Sequence, residues 1–190
     1  MSLSDRAQPR VMAQDVDVDQ LQKGANDRKR EVYWIGFLQG ALSSKRIESG
    51  EEDAILAEAD KFVEFFEDPD AADLAEDIRA RCFSGQNDFM TALENVIKEK
   101  RSEIQSAAPY SERDEVNEFL GFCAGIVCAG VILKAEAEAM LSRFHDSMVL
   151  SSSMVFRDLW RALEAALADK ILTEEESEEV RAWIALLVGD

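Results

Sequence analysis

Few side chains in this sequence are of types that do chemistry, and their spacing narrows them further. DVDVDQLQKGAN (15–26) puts acids at the first, third and fifth places of an EF-hand loop. Such a loop needs glycine at its sixth place and a bidentate glutamate at its twelfth. Gln20 and Asn26 stand there instead, so the stretch reads as a solvated helix start. His145 is the only histidine. A triad, a histidine zinc site or a proton shuttle would each rest on it alone. It falls near an expected helix end, where a cation meets the negative pole of the helix dipole. Cys82, Cys123 and Cys128 form no CxxC pair and are odd in number, which argues against a disulfide framework and for a reducing, cytoplasmic setting. No carboxylate pair stands in an apolar environment that would split two pKa values. No catalytic residue is nominated, and no enzyme activity is expected.

Charge bounds the partners. The 190 residues carry 39 Asp and Glu against 21 Lys and Arg, a net charge of −18. That balance repels a phosphate backbone and disfavours nucleic acid, while it suits a basic protein partner or a divalent cation. KGANDRKR (23–30) is the one basic cluster, and it reads as a solvated helix face. EEESEEV (174–180) complements a helix amino end.

The elements that must position these groups read as helices throughout. Helices are expected over 18–42, 49–66, 71–82, 87–105, 112–129, 136–146, 154–168 and 174–187. Ser49 with Glu52, Ser111 with Asp114 and Thr173 with Glu176 have the spacing of helix starts. Asp68-Pro69-Asp70 breaks the chain between helices. Residues 1–15 read as a flexible tail without the apolar region of a signal peptide, and 16–190 as one all-α domain.

FLGFCAGIVCAGVIL (119–133) is the longest uncharged run. At about 1.5 Å per residue it is too short to cross a bilayer core of about 30 Å, so no membrane insertion is expected. It belongs to a repeat. Shifting the chain by 85 residues lays 34–56 on 119–141, matching Gly36 with Gly121, Gly40 with Gly125, Ile47 with Ile132 and Glu51 with Glu136. A further shift of 39 lays 127–137 on 166–176 and matches Ile132 with Ile171 and Glu136 with Glu175. Each copy is helix, turn, helix, with an inward aliphatic residue in the turn and a glutamate four residues on, giving pseudo-repeats 31–66, 115–146 and 156–188. Such hairpins cannot bury their own apolar faces and must stack on one another. The paired glycines make a smooth strip for close helix approach.

FLGFCAGIVCAGVILKAEAEAMLSRF and FRDLWRALEAALADKILTEEESEEVRAWIALLVG resemble the TerB-like helical region of the tellurite-resistance family, in a variant that precedes BRCT domains in bacterial proteins. The resemblance covers 115–189 and, less closely, 31–66. It implies a TerB-like bundle of repeated hairpins and a non-enzymatic interaction or scaffold role, with a place in a stress response. Some members bind metal through turn carboxylates. Carried over, that points to a divalent cation at Asp169 and Glu175, since Ser44-Lys45 and Ala129-Gly130 lack the aspartate. The BRCT association points to a third role, an accessory factor in DNA metabolism. The partner is expected on an acidic or glycine-lined helix face, and a homodimer is one arrangement this would allow.

Overall fold

The structure, a computed structural model, describes residues 18–47, 50–128 and 130–189. The expected tail over 1–15 and the Ser49 cap lie outside the described residues. Among those described there are helices and no strands, so the fold is all-α. The helices are α1 Val18–Ala41, α2 Glu51–Phe66, α3 Pro69–Ala80, α4 Gln86–Ala107, α5 Glu112–Val127, α6 Lys134–Asp146, α7 Met148–Ser152, α8 Arg157–Ala166 and α9 Glu174–Val188. Among the described residues no helix is long and apolar enough to cross a membrane.

Local chemistry sets most boundaries. The Ser111 hydroxyl accepts from the Asp114 amide at 3.3 Å, and the Asp114 carboxylate accepts from the Ser111 amide at 2.8 Å. Thr173 and Glu176 make the same reciprocal pair at 3.3 and 2.9 Å. Each side-chain cap contributes about 1 kcal/mol. Asp68 accepts from the Ala71 amide at 2.9 Å with Pro69 in the first helical turn, so the same tripeptide that ends α2 starts α3. Two starts differ from expectation. α2 opens at Glu51 behind Gly50, whose φ of 101° turns the chain into the helix. Residues 148–152 form a separate helix, because Ser147 takes extended geometry and its hydroxyl caps the Leu150 amide at 3.0 Å.

The 85-residue repeat extends beyond the hairpins. α1 packs on α4, α2 on α3, and α3 on α4; α5 packs on α9, α6 on α8, and α8 on α9. The second half thus reuses the first half's arrangement, with α8 and α9 in the places of α3 and α4. Buried positions agree: Trp34, Leu38, Ile55 and Leu74 in the first half match Phe119, Cys123, Met140 and Leu159 in the second. Each half has its own large apolar cluster.

The most extensive helix pair is α1 with α5. Gly36 faces Glu118 and Phe122, and Gly40 faces Phe122 and Ile126; reciprocally, Gly121 faces Tyr33 and Phe37, and Gly125 faces Phe37 and Ala41. Residue numbers rise together on both helices, so they run parallel, related by a pseudo-twofold along their length. The glycine strip is therefore covered by the chain's own second copy and offers no face to a partner, which corrects half of the expected partner surface.

The third hairpin also needs a correction of register. Lys45, Gly130 and Lys170 share left-handed backbone, with φ of 57°, 87° and 65°. That alignment shifts the second turn by 40 residues rather than 39. The residue matching Ile47 and Ile132 is then Leu172, half-buried against the second cluster, while Ile171 is 62% exposed. The capping glutamate that matches Glu136 is Glu176, not Glu175. Identical residue pairs favoured the slip, whereas the turn's backbone fixes the true register.

The basic cluster is more than a solvated face. Arg28 ion-pairs with buried Asp114 at 2.9 Å and donates to the carbonyls of Ile104, Ala108 and Pro109. It ties α1 to the α4–α5 connection. Burial alone would raise the Asp114 carboxyl, but hydrogen bonds from Arg28 and Ser111 outweigh it and hold it below its usual range. A depressed carboxylate stabilises the fold above its unfolded pKa of about 3.9 and loses that contribution as pH falls through the lower folded value. Asp114→Asn should therefore cost about 2 kcal/mol at neutral pH, a pair value reduced for Arg28's partial exposure. The gap to wild type should close as the pH is lowered through the acid range; urea titrations at both ends of that range would show it.

Candidate functional site

A charged cleft of about 410 Å³ lies between the C-terminal part of α4, the start of α5 and the end of α6. Glu118 sits at its centre. Its carboxylate accepts from the Tyr110 hydroxyl, ion-pairs with Arg101, and lies 3.9 Å from Arg143. Arg143 lies over the Phe122 ring, with its guanidinium carbon 3.7 Å from the centroid, and donates to the Gln39 side chain of α1 at 2.7 Å. Burial lowers Arg143 from its ordinary value, opposed by Glu118. Burial first, and then the bond to Glu118, pushes the Tyr110 hydroxyl above its usual range, so it stays a donor. Glu115 and Asp146 complete the rim and have no ion pair among the described residues. The C-terminal end of α6, at Asp146, adds its partial negative charge.

A second cleft, of about 200 Å³, lies between α1 and α2 and is the internal repeat of the first. Arg30, Tyr33, Trp34, Glu58, Lys61 and Phe65 line it; 85 residues on, Glu115, Glu118, Phe119, Arg143, Asp146 and Leu150 line its twin. The first is the larger of the two. Phe62 of continuous α2 corresponds to Ser147, where a ring is lost and the helix breaks into α6 and α7.

These arrangements can hold a ligand by charge and shape. Cys123 is fully buried, and burial pushes its thiol up, away from the reactive thiolate. His145 lies in the last turn of α6, exposed, edge-on to Trp160 with centroids 6.2 Å apart.

The residues expected from the sequence to hold a cation lie elsewhere. The Asp169 carboxylate accepts from the Ile171 amide at 2.9 Å, as the Ser44 hydroxyl accepts from the Arg46 amide at 3.2 Å in the first hairpin. Both brace the same turn. Glu175 is exposed in the first turn of α9. Among the described residues no three His, Cys, Asp or Glu side chains converge as a metal site. The cleft residues escaped the sequence reading because Arg101, Glu118 and Arg143 come from three helices. The 85-residue shift was the signal that could have paired the clefts. No protein-family model, curated protein or solved structure matches this chain.

Proposed function

We propose that this chain is a non-enzymatic, TerB-like protein-interaction module that docks a basic segment of a partner in the cleft around Glu118. A cytoplasmic place and a part in a stress response go with that proposal. The observation that carries it is the state of the cleft's charges. With Tyr110 neutral, Glu118 leaves one of its two arginines, Arg101 and Arg143, unbalanced; the rim carboxylates Glu115 and Asp146, which have no ion pair among the described residues, exceed that surplus and leave the cleft with one net negative charge beside the negative end of α6. A lysine or arginine from a partner would complete that set, and the surrounding net charge of −18 would steer it in.

A short peptide of alternating Lys and Leu is the probe, followed by amide shifts in NMR. Shifts should cluster at 101–118 and 143–150. Glu115→Lys combined with Asp146→Lys should weaken binding at least about tenfold without moving the melting temperature, as expected for rim charges that steer and select rather than hold the fold. Shifts spread over the acidic start of α9, and vanishing with salt alone, would show non-specific attraction and end the reading.

A further inference from the structure

The α1–α2 cleft repeats the side of the Glu118 cleft formed by 115–119 and 143–150, but reverses the charge at three positions. Arg30 stands where Glu115 does, Glu58 where Arg143 does, and Lys61 where Asp146 does. The fold does not require the reversal, because Arg30 and Lys61 are exposed. Exposure differs too: Phe65 is 55% exposed, while its counterpart Leu150 is buried. The Arg30 guanidinium carbon lies 3.7 Å from the Phe65 ring centroid, and Arg30 has no carboxylate partner among the described residues. An uncommitted cation stacked on an open aromatic ring is unusual on so acidic a chain. Arginine and large aromatics are also the side chains that dominate interface energies. Behind them Trp34 and Phe62 stack at 5.4 Å and form an apolar wall.

We infer that this cleft is a second docking site, for an acidic segment of a partner protein that carries one bulky apolar side chain. The apolar side chain enters between Phe65 and the Trp34–Phe62 wall. Flanking carboxylates meet Arg30 and Lys61, the latter exchanging its 2.9 Å pair with Glu58. The clefts then make the molecule a two-headed adaptor with opposite charge preferences. The inference uses different residues from the Glu118 cleft, so either site can fail alone.

The test is calorimetry with a short peptide holding Leu-Phe between Asp and Glu residues, with amide shifts to locate it. Binding should map to 30–34 and 58–66, weaken at least about tenfold in Arg30→Glu and in Phe65→Ser, and be unchanged by Asp146→Lys. Lys61→Glu, on an exposed lysine, gives the same reading should Arg30→Glu unfold. Equal affinity for a peptide with Asn and Gln in place of the acids would overturn the inference. So would unchanged affinity in Lys61→Glu, no binding of the acidic peptide, or tighter binding of an oligothymidylate strand to the same residues.

Discussion

Gly121→Ala should destabilise the protein by at least about 3 kcal/mol, the upper range for a single added methyl group in a packed core. A Cβ at Gly121 would lie 2.9 Å from the Phe37 amide nitrogen and closer still to the Tyr33 carbonyl oxygen. Both are backbone atoms within a helix, so no side-chain rotation can relieve the clash. The helices must part along their length, and each half's apolar cluster meets that seam through Phe37 and Phe122. Against a total stability of about 5–15 kcal/mol for a domain, a loss of this size brings unfolding close to physiological temperature. Gly36→Ala should act alike by the pseudo-twofold, since its Cβ would lie 2.9 Å from the Phe122 amide nitrogen. Gly24→Ala is the control: it lies in the same α1 with nothing within 4 Å, and should stabilise by about 0.5–1 kcal/mol through helix propensity. Chemical denaturation of the three variants decides it. A Gly121→Ala protein within about 1 kcal/mol of wild type would mean that the helices are not in contact at the glycines.

What was legible in the sequence was local or periodic. The caps at Ser111 and Thr173 depend on residues three apart, and the glycine strip on residues four apart, so both could be read without a fold. The repeat was legible where it kept identity, at Gly36, Gly40, Ile47 and Glu51. It was invisible where it kept position and reversed chemistry, as at Arg30 and Glu115 or Glu58 and Arg143. A search for matching residues cannot see a cleft that has been duplicated and recharged. The break at Ser147 carries neither glycine nor proline, and only a serine cap marks it. The Arg28–Asp114 pair spans 86 residues, a separation that no local pattern encodes. The turn at 166–176 shows the opposite error: matching Ile171 to Ile132 satisfied identity, while the left-handed residue at Lys170 set the real register.

Lys100→Ala should cost about 3–5 kcal/mol, the range for removing one partner from a buried ion pair. Lys100 is 5% exposed on α4, at a position whose spacing from Leu93 and Val96 repeats that of buried Ile184 from Ser177 and Val180 on α9. A cation at a core position survives because three carboxylates meet it. Asp68 pairs with it directly, Glu103 at 2.8 Å and Asp70 at 3.2 Å. Burial alone would lower its pKa, but the bonds to Asp68, Glu103 and Asp70 outweigh burial and hold it above the usual lysine range. A raised lysine stabilises the fold at every pH below its unfolded value of about 10.4 and loses that contribution only above it. The alanine deficit should therefore be full at neutral pH and shrink only in strong alkali. Most of the deficit comes from the buried Asp68 left behind, which also caps α3 through Ala71. Lys100→Met, which restores the side-chain bulk, should consequently recover about 1 kcal/mol at most. Adding Asp68→Asn to Lys100→Met removes the stranded charge but keeps an acceptor for the Ala71 amide. That double variant should return to within about 1 kcal/mol of wild type, since an apolar replacement of a buried ion pair is often neutral. If Lys100→Met alone unfolds at the wild-type denaturant midpoint, the carboxylates are solvated and α3 is not held to α4 through this lysine. A loss in both single variants and recovery in the double variant would place the coupling at Lys100 and Asp68, where the first half keeps an ion pair and the second half keeps Ile184.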